Sequence, residues 1–177
     1  RVPEEARNTP YDVILIGKST DSTGFGGASF SSAILDEEDE ATNLGAVQVH
    51  DPFLKRVIVE ATKRLFDVVA EEQVAIGFKD LGAGGVSCAA SELAAHADMG
   101  IDINLDLVNV AHSGLAPEVI ACSETQERYC LVVPRDFSQT VLDIYNKEFE
   151  LPKLYHQAGA SVIGEINESK RFVMTYK

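Results

Sequence analysis

Residues 50–72, "HDPFLKRVIVEATKRLFDVVAEE", constrain the fold more than any other stretch. Asp51 is placed to cap a helix, and Pro52 suits the first turn, where its missing N–H is harmless. Leu54, Val57, Ile58, Ala61, Leu65, Val68 and Val69 then recur at helical spacing and give the helix one apolar face. A face of this kind packs against a second layer, and strand-sized apolar runs are at hand to form it. Residues 13–16, 74–78 (running into Lys79-Asp80), 101–105, 128–134, 160–166 and 171–177 read as strands. Helices are expected in the latter part of "LGAGGVSCAASELAAHADMG", at 117–121, and in "DFSQTVLDIYNKEFE" behind an Asp136 cap. Strands and helices mix without strict alternation. The expected class is α+β, a mixed β-sheet flanked by helices.

A chain of 177 residues, 45% hydrophobic, suits one domain with a sizeable core. The opening "RVPEEARNTP", with Arg1 in place of Met, reads as a linker over residues 1–10 in a piece of a longer polypeptide. The domain is then expected over 11–177. A formal charge of −13 repels nucleic-acid phosphate and anionic lipid, which argues against both as partners. No apolar run approaches membrane-spanning length, and no signal-peptide pattern is present. Cys88, Cys122 and Cys130 are odd in number and lack CxxC spacing, which favours buried, reduced thiols in a cytoplasmic protein.

Chemistry can be sought at several places. "GFGGASFSS" (24–32) follows the first strand with bare, hydroxyl-rich backbone, suited to a flexible turn or to close approach of a ligand. "DEEDE" (36–40) reads as a solvated loop, since adjacent carboxylates repel one another. Asp80 stands at the carboxyl end of a strand before Gly82, Gly84 and Gly85, where helix-flanked sheets gather ligands. It either holds phosphate through Mg²⁺ or caps the turn. In "SETQER" (123–128), Glu124, Thr125 and Gln126 either grip a small polar ligand or belong to a polar turn with a weak Glu127–Arg128 surface pair. Gln48, between Val47 and Val49, either faces solvent or guards the mouth of the helix. His50 is a candidate base or a structural residue. The remaining histidines lack zinc spacing, and no local signature of a nucleophilic triad is visible.

The order of these motifs is more specific than any one of them. "GGASFSS", "VQVHDPF" leading a helix, "KDLGAGGVSCAASELA", "CSETQERYCLVV" and "GASVIGEI" together resemble the phosphoribosylformylglycinamidine synthase family over residues 11 to about 167. The likeness is to the C-terminal domain of the first of the two homologous halves of its synthetase subunit. It lies within the wider aminoimidazole ribonucleotide synthetase-like family.

The resemblance implies an ATP- and magnesium-dependent carbon–nitrogen ligase of purine biosynthesis. Formylglycinamide ribonucleotide is phosphorylated on its amide oxygen, and glutamine-derived ammonia displaces the phosphate. Implied partners are a glutaminase subunit, a small accessory subunit, and preceding and following domains of the same chain. By position, Gln48, Glu124, Thr125 and Gln126 match substrate-binding residues, Thr125 replacing the commoner serine, and Asp80 matches a magnesium ligand. No catalytic residue is implied within these 177 residues, because the family's catalytic histidines and ATP-contacting lysine lie mainly in the preceding domain.

Ser22 and Thr23 stand where the family carries Arg-Asp, Lys79 where it carries glutamine, and His50 where it carries glycine. These departures indicate a divergent member. Two other readings are a domain of another ATP-dependent synthetase of the wider family and a non-catalytic binding or assembly module.

Overall fold

The computed structural model describes residues 1–27 and 47–177. The 28–32 part of the glycine-serine stretch and the acidic run 36–40 therefore lie outside the described residues. In chain order the elements are β1 (Tyr11–Gly17), α1 (Pro52–Glu72), β2 (Gly77–Asp80), α2 (Gly85–Ala95), β3 (Gly100–Asn104) and α3 (Pro117–Cys122). There follow β4 (Arg128–Pro134), α4 (Ser138–Asp143), α5 (Leu151–Leu154), β5 (Gly159–Asn167) and β6 (Phe172–Thr175). The strands form one six-stranded sheet in the order β2-β4-β1-β5-β3-β6. Neighbours are antiparallel except β3 and β6, so the sheet is mixed.

β1 is central, and all seven of its residues are buried. Side chains alternate across a strand, so Val13 and Leu15 enter one core with Val86, Ala90 and Leu93 of α2. Ile14 and Ile16 enter the other, with Leu54, Ile58 and Leu65 of α1. The small residues of α2 let that helix lie close to the sheet. The Asp51 cap forms as expected, Asp51 Oδ1 accepting from Leu54 N at 2.9 Å.

Several expectations change. β2 starts at Gly77 rather than 74, because the preceding residues are engaged elsewhere: Val74 N–H donates to Val69 O and Ala75 O accepts from the Tyr11 hydroxyl. Asp136 makes no cap; it sits in a 3₁₀ turn, Arg135–Phe137, ahead of α4. The amphipathic stretch is also not one helix, for α4 opens into a π turn at Ile144–Glu148. Widening there lets buried Tyr145 meet Thr62 Oγ1 at 2.8 Å while Asn146 clasps both N–H and C=O of Ala160. Of the cysteines, only Cys130 is buried; Cys88 is half-buried and Cys122 exposed. Residues 1–10, read as a linker, lie against the domain. Val2 is 1% exposed and donates its N–H to Leu93 O at 3.1 Å.

Gly17 ends β1 at φ +122°, and a Cβ there would stand 2.0 Å from the Glu127 carbonyl oxygen. Positive φ and that overlap act together against any side chain. Gly17→Ala is expected to destabilise the fold by at least about 2 kcal/mol, read from the denaturation midpoint in urea. A variant as stable as the parent would show that β1 and the 123–127 loop can separate freely.

Candidate functional site

Antiparallel pairing brings four chain segments to one end of the sheet. β2 ends at Asp80 opposite Tyr129, β1 ends at Gly17 opposite Arg128, and β4 begins there, directly after the 123–127 loop. The start of α1 joins them, Asp51 N–H donating to Glu127 Oε1 at 3.3 Å. The candidate residues Gln48, Asp80, Glu124, Thr125 and Gln126 thus border one end of the sheet, although the longest interval among them in sequence is 78 residues.

Residues 47–50 form no strand and are all exposed, so the Val47-Gln48-Val49 alternation does not mark a buried face. Gln48 is nonetheless held: its Nε2 donates to Glu124 Oε2 at 2.6 Å. Gly24, the first glycine of the "GFGG" turn, packs beneath this pair. A Cβ on it would lie 2.9 Å from Glu124 Cβ and 3.2 Å from Gln48 Cγ, and its φ is +69°. Close approach is therefore what that glycine provides. Glu124 is 4% exposed, and its carbonyl accepts from Gln126 Nε2 at 3.0 Å.

The other side chains of the loop turn inward. Thr125 is 1% exposed, and its hydroxyl donates to Asp21 Oδ1 at 2.9 Å, accepts from Asp21 N–H at 3.1 Å and lies 3.0 Å from Ser123 Oγ. Its side chain therefore holds the loop to the segment after β1 rather than facing outward. Asp21 also accepts from Thr23 N–H and Thr23 Oγ1, and pairs with buried Lys18 at 3.1 Å. Thr23 thus has a local partner in this chain. Desolvation pushes the Asp21 carboxyl up, but Thr23, Lys18 and Thr125 together outweigh it and hold the group below the ordinary aspartate value.

The surface pair expected between Glu127 and Arg128 does not exist. Glu127 pairs with Lys55 at 3.3 Å, and Arg128 is among the most buried large side chains of the domain. Its Nη2 donates to Ser123 O at 2.7 Å, its Nε to Thr125 O at 2.8 Å and its Nη1 to Thr20 Oγ1 at 2.8 Å. Burial pulls its pKa down to about 10, against the attraction of Asp21, so it remains a cation at neutral pH. Sequence reasoning missed Lys18, Thr20, Asp21 and Arg128. One signal was present: an arginine opening the apolar run "RYCLVV" is poorly placed for a surface residue.

Asp80 is exposed, and it does not cap α2, whose N-cap is Gly84 with no side-chain bond. The turn-capping reading is thereby removed. It borders a cleft of about 210 Å³ with Lys79, Gly82, Cys88 and Glu92. Glu92 is occupied by Lys79 at 2.6 Å and by the Cys88 thiol at 3.2 Å, which leaves Asp80 as the cleft's open carboxylate. One carboxylate fits the protein's usual share of a magnesium site shared with phosphate. Among the described residues no three His, Cys, Asp or Glu side chains converge as a metal cage. His50 is exposed. Among the described residues no helix is long and apolar enough to cross a membrane.

The Asp21 carboxyl is lower in the folded chain than the unfolded value of about 3.9. Its stabilisation is therefore complete above that value and disappears as pH falls through the lower native one. Asp21→Asn is expected to lower stability at neutral pH and to flatten the loss of stability below about pH 4, measured by urea unfolding at a series of pH values. Parallel acid limbs for variant and parent would uncouple Asp21 from folding.

Residues 10–177 match the family model described as AIR synthase related protein, C-terminal domain. Over all 177 residues the chain is 47% identical to phosphoribosylformylglycinamidine synthase subunit PurL of Methanothrix thermoacetophila, of which it covers 23%. T. maritima PurL complexed with FGAR superposes with a TM-score of 0.79 at 31% identity, over 99% of this chain and 27% of that one. T. maritima PurL complexed with ATP gives 0.72 at 27% identity, over 99% of this chain and 25% of that one. The chain thus spans about a quarter of the length of these relatives. With a six-stranded mixed sheet flanked by helices and a family match over nearly its whole length, this chain belongs to the AIR synthase related protein C-terminal domain family.

Proposed function

We propose that this chain is part of a cytoplasmic ATP-dependent ligase that converts formylglycinamide ribonucleotide to formylglycinamidine ribonucleotide with glutamine-derived ammonia. The observation that carries the reading is the hydrogen bond between Gln48 and Glu124, 76 residues apart, at the sheet end that also bears Gln126 and Asp80. The 47% identity to a PurL subunit across the entire chain supports the same assignment. The complete enzyme would include preceding and following domains, a glutaminase subunit and a small accessory subunit.

In this reading Gln48 and Glu124 act as a recognition pair. The charge-assisted bond between them fixes the carboxylate, so its acceptor oxygens are set before the ribonucleotide arrives. Gln126 is steadied through Glu124 O and adds an amide group to the same surface. Thr125 serves through its inward hydroxyl, tying the loop to Asp21. Asp80 would hold Mg²⁺, which when bound neutralises phosphate charge. Phosphorylating the amide oxygen turns a poor leaving group into phosphate, and the part played by this chain is to hold the amide in place for it.

Removing one partner of a buried polar contact costs roughly 1–3 kcal/mol, because the other is left unpaired. In the full-length enzyme Gln126→Ala is expected to lower kcat/KM for the ribonucleotide about tenfold or more with nucleotide affinity intact. Titration of the variant with each ligand checks this; weakened nucleotide binding with normal ribonucleotide binding would reverse the assignment. Asp80→Asn removes an anionic oxygen from a hard cation, so activity should fall and the magnesium requirement should rise. An unchanged magnesium dependence in a folded variant would remove Asp80 from the metal site.

A further inference from the structure

We propose that Arg128 is a positioning residue for the ribonucleotide, holding the 123–127 loop from beneath so that the backbone amide of Gln126 faces the ligand. The inference rests on the assignment of that loop to the ribonucleotide. Arg128 is 1% exposed and has no carboxylate within hydrogen-bonding distance among the described residues; its three bonds go to two carbonyls and a hydroxyl. The two carbonyls, Ser123 O and Thr125 O, are alternate peptide units of the loop. No cis peptide bond occurs among the described residues. In a trans peptide the N–H points opposite to the C=O. A guanidinium drawing both carbonyls inward therefore turns the N–H of the same two peptide units, that of Gln126 among them, away from it. The Gln126 N–H has no acceptor among the described residues. It is a donor aimed outward and fixed by a cation the ligand never touches.

The planar fork matters as much as the charge. Arginine bridges separate acceptors in one plane, whereas a lysine ammonium is a point charge on a flexible stem. Arg128→Lys keeps the cation but cannot span the two carbonyls and Thr20 at once. Thr20→Val is a milder probe that removes only the acceptor of Nη1.

The test uses the full-length enzyme with its partner subunits, formylglycinamide ribonucleotide and ATP, and compares Arg128→Lys, Thr20→Val and Gln126→Ala. KM for the ribonucleotide is expected to rise about tenfold in Arg128→Lys and about threefold in Thr20→Val, with KM for ATP within twofold of the parent. A merely structural arginine would lower the fraction of active enzyme, reducing kcat and leaving both KM values in place. The inference is overturned if folded Arg128→Lys keeps the parent ribonucleotide KM, or if both KM values rise together. If Arg128→Lys does not fold, Thr20→Val decides on the same criterion. A normal ribonucleotide KM in all three variants would defeat the loop assignment itself, and the role of Arg128 with it. Weak binding in Gln126→Ala beside normal binding in both other variants would defeat the role of Arg128 alone.

Discussion

Burial of β1 on both faces is the constraint on which the rest of this domain depends. Val13 and Leu15 are committed to one core and Ile14 and Ile16 to the other. A shift by one residue would exchange the two sets and mismatch both helical layers. The register of β4 and β5 against β1 follows, and with it the positions of Gly17, Arg128 and Gly159 in one row across the sheet. The site is built on that row. Its loops have little regular structure, yet each begins or ends at a residue whose place is fixed by the core.

At this end the interior changes character. Beyond Ile16 lie Lys18, Ser19, Thr20, Ser123, Glu124, Thr125, Glu127 and Arg128, all buried. Buried charges are tolerated when hydrogen bonds satisfy them, and removing one partner of such a set costs roughly 3–5 kcal/mol. Each has its partner: Lys18 with Asp21, Glu127 with Lys55, Arg128 with two carbonyls and Thr20. An apolar cluster could fill this volume at less electrostatic cost but would leave the carbonyls of the loop without donors. The charges are better understood as what gives an irregular backbone one conformation.

The legible and illegible parts of the sequence divide along the same line. The α1 stripe, the Asp51 cap and the apolar run of β1 act through neighbours a few residues away, so the local sequence reveals them. The order of the motifs likewise disclosed the family. The inward role of Thr125 depends on Asp21, 104 residues earlier, and the burial of Arg128 depends on Thr20, 108 residues earlier. No local pattern encodes such pairings. The Glu127–Arg128 reading failed for that reason: adjacency in sequence suggested a pair, while φ +63° at Glu127 turns the two side chains to different partners. The single helix expected at 136–150 failed similarly, since periodicity cannot foresee that Tyr145 and Asn146 must reach opposite sides.

Charge bears on what this domain can do alone. The chain carries −13 overall, and the four basic residues that border the sheet end, Lys18, Lys55, Lys79 and Arg128, are all engaged within it. Releasing any one toward a ligand would strand a carboxylate or a carbonyl, several of them buried. What this surface offers an incoming anion is therefore oriented amide groups, such as the Gln126 N–H, and a carboxylate, Asp80, that repels phosphate unless a cation intervenes. In the reading proposed above, such a surface suits recognition of the hydroxyl and amide parts of a ribonucleotide. The positive charge needed for phosphate would in that reading arrive with a metal ion or from other segments. In that reading the domain is electrostatically half of a site.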